Sequence, residues 1–232
     1  MSQIPTRVPP GPGFLTRLIA FCGKQWPRYF FLGAIGFIIR LPAIQGQLIW
    51  DDVCLTRDNP FIKSPVLALE AFRHYLFLDS LSGHYRPVQN LSYMFDYFFW
   101  NTDPAGFHLS NVFLHVAAGL LLYRLLLVLF RNAGGLWNND DPNSIGARTV
   151  AAFVIAAIWM VHPVHSAAID YISGRADSLA FIFSAGGWLL VLRGRAVNSR
   201  WLKGSLYSLA AFSGVLALCS RDGGEQINAN AF

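Results

Sequence analysis

Residues 108–130, HLSNVFLHVAAGLLLYRLLLVLF, decide the class of fold. The run carries one arginine and has the length, roughly 17–25 residues, that a helix needs to cross a bilayer. Four further runs read the same way, at 26–44, 146–161, 176–192 and 204–219. The last three are short, but each contains alanine or glycine, which lets helices approach closely in a bundle. Composition agrees: of the 232 residues, 54% are hydrophobic, 15% aromatic and only 13% charged, with a mean hydropathy of +0.40. A soluble domain has about 25% charged residues, and this chain has too few to cover so much apolar surface. The expected fold is an all-α membrane protein, a multi-span helical bundle of about five transmembrane helices.

The net charge of +5 falls between the apolar runs, which points to membrane topology and not to nucleic acid. Arg7, Arg17, Lys24 and Arg28 precede or open the first run. Arg131 and Arg148 flank the second connection, and Arg193, Arg195, Arg200 and Lys203 the fourth. These are alternate connections, so the positive-inside rule makes all three cytoplasmic. Residues 45–107, 161–175 and 220 onward then face outward. The expected organisation is a cytoplasmic segment at 1–25, a membrane domain at 26–220 with an outer loop at 45–107, and a polar tail at 221–232. Residues 1–13 are Pro/Gly-rich and polar, without the pattern of a cleavable signal, so the first run reads as a retained anchor. Arg40 and Arg124 lie near span ends, with reach to the headgroups, and carry no assigned role. Cys22, Cys54 and Cys219 follow no ligand spacing.

In the outer loop, Val88, Leu91, Phe95 and Phe98 recur at helical spacing, and Pro87 suits a first helical turn. Asp96 argues against a full span. The reading is a helix lying at the membrane interface, anchored by Tyr93, Tyr97 and Trp100. Its rival is a sixth span, which would put 193–203 outside and break the charge pattern. Asn90-Leu91-Ser92 fits a glycosylation acceptor, discounted for its place in this helix.

Three polar clusters share the outer face under this topology. Trp50-Asp51-Asp52 ends the first span. Two adjacent carboxylates raise each other's cost of ionisation unless a cation or a proton-bearing substrate stabilises them. Asp51 and Asp52 are thus candidates for a general base or a cation site, against a solvated helix end. The second cluster is His84, Tyr85 and Arg86. The third is His162-Pro163-Val164-His165 with Asp170, Arg175 and Asp177. These types suit glycosyl transfer from a lipid phosphate: a carboxylate takes the acceptor's proton, arginines stabilise the departing phosphate, and histidines orient or protonate it. Other readings stay open. His162 and His165 are spaced for a divalent metal, although Pro163 disfavours a regular helix between them. His108 and His115 read as internal hydrogen-bonding residues. Arg175 and Asp177 read also as an interfacial ion pair.

Trp50-Asp51-Asp52, Asn59-Pro60, Tyr85-Arg86-Pro87-Val88, Leu91-Ser92-Tyr93 and Asp96-Tyr97 follow one another in a specific order. Gly106-Phe107-His108-Leu109 with Asn111 and His115 comes next, then His162-Pro163-Val164-His165 and Tyr171-Ile172-Ser173-Gly174-Arg175-Ala176-Asp177. From Leu41 to Ser220 the chain resembles the membrane half of the transmembrane and tetratricopeptide-repeat O-mannosyltransferases and their bacterial relatives. The resemblance implies a GT-C glycosyltransferase fold in the bacterial inner membrane or the endoplasmic reticulum. It implies transfer of a sugar, often mannose, from a polyprenyl or dolichyl phosphate to a protein or other hydroxyl acceptor on the outer side. It places Asp51 or Asp52 as base or acceptor-orienting acid, and Arg86 and Arg175 near the donor phosphate, where the chemistry of histidine adds His165 as a candidate. His84, His162 and Asp177 are further candidates. The chain departs from the family where Ser166-Ala167-Ala168 replaces the usual stretch with a glutamate, and where Arg221-Asp222 replaces a lysine–glutamate pair. The family continues into further spans and helical repeats, so a truncated product or fragment is expected. A non-catalytic membrane anchor or scaffold is the alternative function. A transporter fragment is disfavoured because the charges gather at one face, not at the midplane.

Overall fold

The computed structural model describes residues 25–73, 85–133 and 141–221. Most of the expected N-terminal segment, His84 and the tail from 222 onward lie outside them. The described residues form helices and turns without a strand.

Helix α1 spans Gln25–Arg40 and tightens into a 3-10 turn at Leu41–Gln45. Pro42 explains the change, because it supplies no backbone N–H to continue the α pattern. The outer loop follows with a π turn at Val53–Arg57 and 3-10 turns at Phe61–Lys63 and Pro65–Phe72. Helix α2 spans Pro87–Trp100, α3 Pro104–Asn132 and α4 Pro142–Val161. A short helix α5 at Ser166–Asp170 leads to α6 at Arg175–Arg195 and α7 at Arg200–Leu218. Asp103 caps α3 by accepting from Ala105 N at 3.1 Å. Asp141 caps α4 by accepting from Asn143 N and Ser144 N, each at 3.1 Å. These bonds satisfy orphan donors of the first turn and hold the Asp141 carboxyl below its usual range.

Five helices are long and apolar enough to cross a membrane: Gln25–Gln45, Pro104–Asn132, Asn143–Val161, Ile172–Arg195 and Arg200–Leu218. They match the five runs, so the chain is an integral multi-pass membrane protein. Large apolar side chains such as Phe30, Ile38, Val150 and Trp201 point outward from them, as a lipid solvent permits. Helix α3 lies at the centre, against α1, α4 and α6. Leu32, Tyr123, Ala152, Ala156 and Met160 form the core between α1, α3 and α4. Gly36 and Gly119 make room for Met160: a Cβ at either would collide with its side chain.

Helix α3 has 29 residues, more than a bilayer requires. The surplus is at its start, where Gly106, Phe107, His108 and Asn111 are buried in the polar end of the bundle. Helix α2, with 14 residues, is too short to span, so the sixth-span alternative has no helix to carry it. Its orientation corrects one expectation. Tyr93 is fully buried and is no interfacial anchor, whereas Phe95 and Phe98 are exposed. The inward stripe is Gln89, Tyr93 and Asp96, which needs polar partners, and the apolar stripe is left for lipid. Asn90 is buried too, in keeping with the discounted glycosylation reading.

Candidate functional site

The starts of α3 and α6 and the ends of α1, α4 and α7 meet the outer loop at one end of the bundle. Arg175, the first residue of α6, is the largest fully buried side chain there. Burying a guanidinium costs several kcal/mol unless it is paired and hydrogen-bonded, on the order of a few per ion. Here Nη2 lies 2.6 Å from Asp96 Oδ2 and donates to the Phe107 carbonyl at 3.1 Å. Nε donates to Asn111 Oδ1 at 2.9 Å and Nη1 to Ser92 Oγ at 3.2 Å. The guanidinium carbon sits 4.6 Å from the centre of the Tyr93 ring, a cation–π contact. Asp96 also accepts from the Ser110 hydroxyl at 2.6 Å. Burial pushes the Asp96 carboxyl up, and Arg175 and Ser110 oppose that.

Asp52 is equally buried, at 0% exposure. Its Oδ2 accepts from Ile172 N at 3.1 Å and its Oδ1 from Ser173 N at 2.9 Å. One carboxylate thus satisfies two consecutive backbone donors in the turn before α6. The same turn is held from two other sides. Gln89 Nε2 donates to Ser173 O at 2.8 Å and the Tyr93 hydroxyl to Ile172 O at 3.2 Å. Asn111 Nδ2 donates to the carbonyls of Ile169 at 3.1 Å and Tyr171 at 2.9 Å. Asp52, Gln89, Tyr93, Asn111 and Arg175 therefore join four distant stretches of chain into one polar core. Burial pushes the Tyr93 phenol up, while the Arg175 charge draws it down.

Asp51, next to the buried acid, is exposed. Trp50 before it has φ +49°, the left-handed region that a bulky residue enters at a cost of about 1–3 kcal/mol. The Asp52 bracket supplies the fixed contacts that hold this turn. Arg86 is the partly buried N-cap of α2. It stands, like Asp52, within electrostatic range of the Tyr93 hydroxyl. Val88 N donates to Cys219 O at 3.2 Å, so the end of α7 docks beside Arg86.

The histidine segment is held by Arg40, which is 8% exposed. Its Nη1 donates to Ser166 Oγ at 3.0 Å and its Nη2 to His162 O at 2.9 Å. His165 packs on Trp159 with ring centroids 4.2 Å apart. Burial lowers its pKa first, and the neighbouring Arg40 and His162 lower it further. The surroundings of His165 thus favour its neutral form over the cation. His115 Nε2 lies 2.8 Å from Met160 O, an internal hydrogen bond as expected. His162 is exposed, and its Nδ1 accepts from Val164 N at 3.1 Å. No group of three or more histidine, cysteine, aspartate or glutamate side chains among the described residues is arranged to hold a metal ion.

Arg175 and Asp177 do not pair with each other. Arg175 takes Asp96, and Asp177 takes Arg221 at 2.9 Å on the surface. The reason is helical geometry: residues two apart project to different sides. The sequence reading noted Asp96, Asn111, Ser92 and Arg40 without giving them a role in the site, and it missed Gln89. The available signal was polarity out of place. An aspartate in an aromatic helix and an arginine in an apolar run must each find a partner.

Fold and site together define an all-α, multi-span membrane protein with a polar core at one end of its bundle. The chain is 29% identical over 149 residues to the Drosophila melanogaster protein O-mannosyl-transferase Tmtc3, covering 60% of this chain and 16% of that protein. It is 27% identical over 174 residues to protein O-mannosyl-transferase F38B6.6 of Caenorhabditis elegans, covering 73% and 23%. It is 25% identical over 210 residues to human protein O-mannosyl-transferase TMTC4, covering 86% and 28%. The chain is thus similar to the membrane half of these transferases, as its motifs indicated. It spans 16% to 28% of the length of these three curated relatives. No family model and no solved structure matches it.

Proposed function

We propose that the chain forms part of a GT-C-type glycosyltransferase that moves a sugar from a polyprenyl or dolichyl phosphate to a hydroxyl acceptor on the extracytoplasmic side. The names of the relatives favour mannose as the sugar and a protein as the acceptor. The observation that carries the reading is the division of labour between two neighbouring acids. Asp52 is taken up entirely by the turn before α6, and this presents Asp51 to solvent from a fixed backbone.

In this reading Asp51 is the general base. It takes the proton as the acceptor oxygen bonds to the anomeric carbon. The bond from that carbon to the phosphate oxygen breaks, and the lipid phosphate leaves with the electron pair. Arg86 at the start of α2 offers the departing phosphate its fork of donors. His165 orients the phosphate. Asp52 and Arg175 are positioning residues, because their polar atoms are directed into the protein. The exposed Phe95, Phe98 and Phe99 give the lipid tail an apolar surface beside the site. The arginines and Lys203 at the other end of the bundle support a cytoplasmic N-terminus.

The test is transfer from a radiolabelled polyprenyl-phosphate sugar by membranes holding the complete gene product, with and without chelator. Asp51→Asn is expected to lower transfer by about 10²–10⁴-fold with membrane insertion intact. Full activity in Asp51→Asn removes Asp51 from the mechanism. The second reading, a non-catalytic anchor, draws support from the engagement of both Asp52 and Arg175 by protein groups. It requires correct insertion with no transfer by the unmodified protein.

A further inference from the structure

We propose that the outer loop seats one apolar row of its 3-10 segment Pro65–Phe72 in the headgroup boundary of the bilayer, in the leaflet beside the polar core. A 3-10 helix has three residues per turn, so side chains at i and i+3 line up and form three rows. Ala68 and Ala71 make the inward row: Ala71 is fully buried, and Ala68 packs on the cluster around Tyr93 and Phe107. Leu67 packs on the same cluster, and its row continues with Glu70 and Arg73, an ion pair at 2.9 Å. The third row is Val66, Leu69 and Phe72. All three are exposed, Val66 at 87% and Leu69 at 79%. With a rise of about 2.0 Å per residue, the row is about 12 Å long. It carries no polar side chain.

Large apolar side chains exposed together in one row call for a cover other than water, and the position of the row identifies that cover. The Tyr85 hydroxyl donates to Phe72 O at 2.8 Å and stands within electrostatic range of the Cys219 thiol. Val88 N donates to Cys219 O at 3.2 Å. Cys219 directly follows Leu218, the exposed last residue of the span α7. The end of the row is therefore fixed at the depth where a span leaves the bilayer. The headgroup region is roughly 5–8 Å deep on each side of the hydrocarbon, and the apolar faces of interfacial segments sink about 5–10 Å into that boundary. The segment also packs on α2, whose own Phe95 and Phe98 are exposed. A soluble protein would have to displace headgroups to reach a row at this depth, whereas the bilayer already lies against it. The contact holds the loop that follows the acid turn against the membrane.

Site-directed fluorescence tests this. In the full chain, Cys22, Cys54 and Cys219 are replaced by serine, a single cysteine is introduced by Val66→Cys or Leu69→Cys, and the fluorophore NBD is attached to it. Phe212→Cys, at an exposed position within the span α7, sets the lipid limit. NBD-labelled free cysteine sets the aqueous limit. The labelled chain is reconstituted in phosphatidylcholine vesicles. Quenching is measured with iodide on both sides of the membrane, and separately with phosphatidylcholine spin-labelled high on its acyl chain. Labels at 66 and 69 are expected to be quenched by the spin-labelled lipid, with iodide quenching about tenfold below the aqueous limit. Iodide quenching near the aqueous limit at either position overturns the proposal, because the row then faces water. Quenching by neither reagent overturns it as well, because protein then covers the row. The two positions are exposed and one turn apart, so either label decides the outcome if the other variant fails to fold.

Discussion

Replacing Asp52 by asparagine keeps the shape of the side chain and changes only what it offers to two backbone donors. Asp52 accepts from Ile172 N at 3.1 Å and from Ser173 N at 2.9 Å, one on each oxygen. Asparagine has one oxygen, so its amide group would face the second N–H donor to donor. A hydrogen bond to a charged group is worth about 1.5–3 kcal/mol, and a buried orphan donor costs about 1–3 kcal/mol. The surviving bond also loses its charge assistance. The lost bond and the orphaned donor are largely one cost counted from two sides, so with the lost charge assistance they give a destabilisation of about 2–4 kcal/mol for Asp52→Asn. Asp51→Asn touches no buried group and should stay within about 0.5 kcal/mol of the unmodified protein. The assay is thermal unfolding of the purified chain in detergent, followed by size-exclusion chromatography after heating. With roughly 2–4 °C per kcal/mol for a chain of this size, Asp52→Asn should lower the midpoint by roughly 5–15 °C, and Asp51→Asn should leave it in place. Equal shifts in the two variants, or none for Asp52→Asn, would refute the bracket and the division of labour that rests on it.

Removing the Arg175 charge with Arg175→Met strands Asp96 in the core, at a cost of about 3–5 kcal/mol; Arg175→Met with Asp96→Leu should recover most of it. A double-mutant cycle of melting midpoints measures the coupling, and additive losses would contradict the ion pair. His165 contributes one part of the pH dependence. Its pKa in the folded protein lies below the unfolded value of about 6.5, so the unfolded state binds the extra proton. Its effect is absent well above that value, and stability falls as the pH drops through it. His165→Phe should flatten melting midpoints between pH 7.5 and 5.5 relative to the unmodified chain. Parallel profiles for the two proteins would show that another group titrates.

The five spans were legible because a bilayer demands long apolar runs, and each of these is bounded by charge or proline. Helix α2 was legible in extent, from Pro87 and the spacing of its aromatics, but not in orientation. Phe95 and Phe98 look like a core stripe until lipid is admitted as their solvent, and then Gln89, Tyr93 and Asp96 turn inward. The site was legible as a convergence of Asp52, Arg175 and the segment at 162–177. Which of the two adjacent acids would be buried was not legible. Consecutive residues on a helical turn face different ways, and the choice depends on two N–H groups at Ile172 and Ser173 that no local pattern reveals. Arg40 passed for a snorkelling residue because its partners, Ser166 and the His162 carbonyl, are more than a hundred residues away in sequence. The 3-10 and π turns of the outer loop left no periodic signal.

The central claim is that the acid turn, the start of α2 and the histidine segment share one surface of the membrane, opposite the arginine-lined end. Cysteine accessibility tests it most directly. The native cysteines Cys22, Cys54 and Cys219 are replaced by serine, and single cysteines are placed at the exposed positions by Asp51→Cys, His162→Cys and Arg195→Cys. A membrane-impermeant maleimide added to sealed, oriented vesicles should label positions 51 and 162 from one side and position 195 only from the other. Labelling of 51 and 162 from opposite sides would contradict the account.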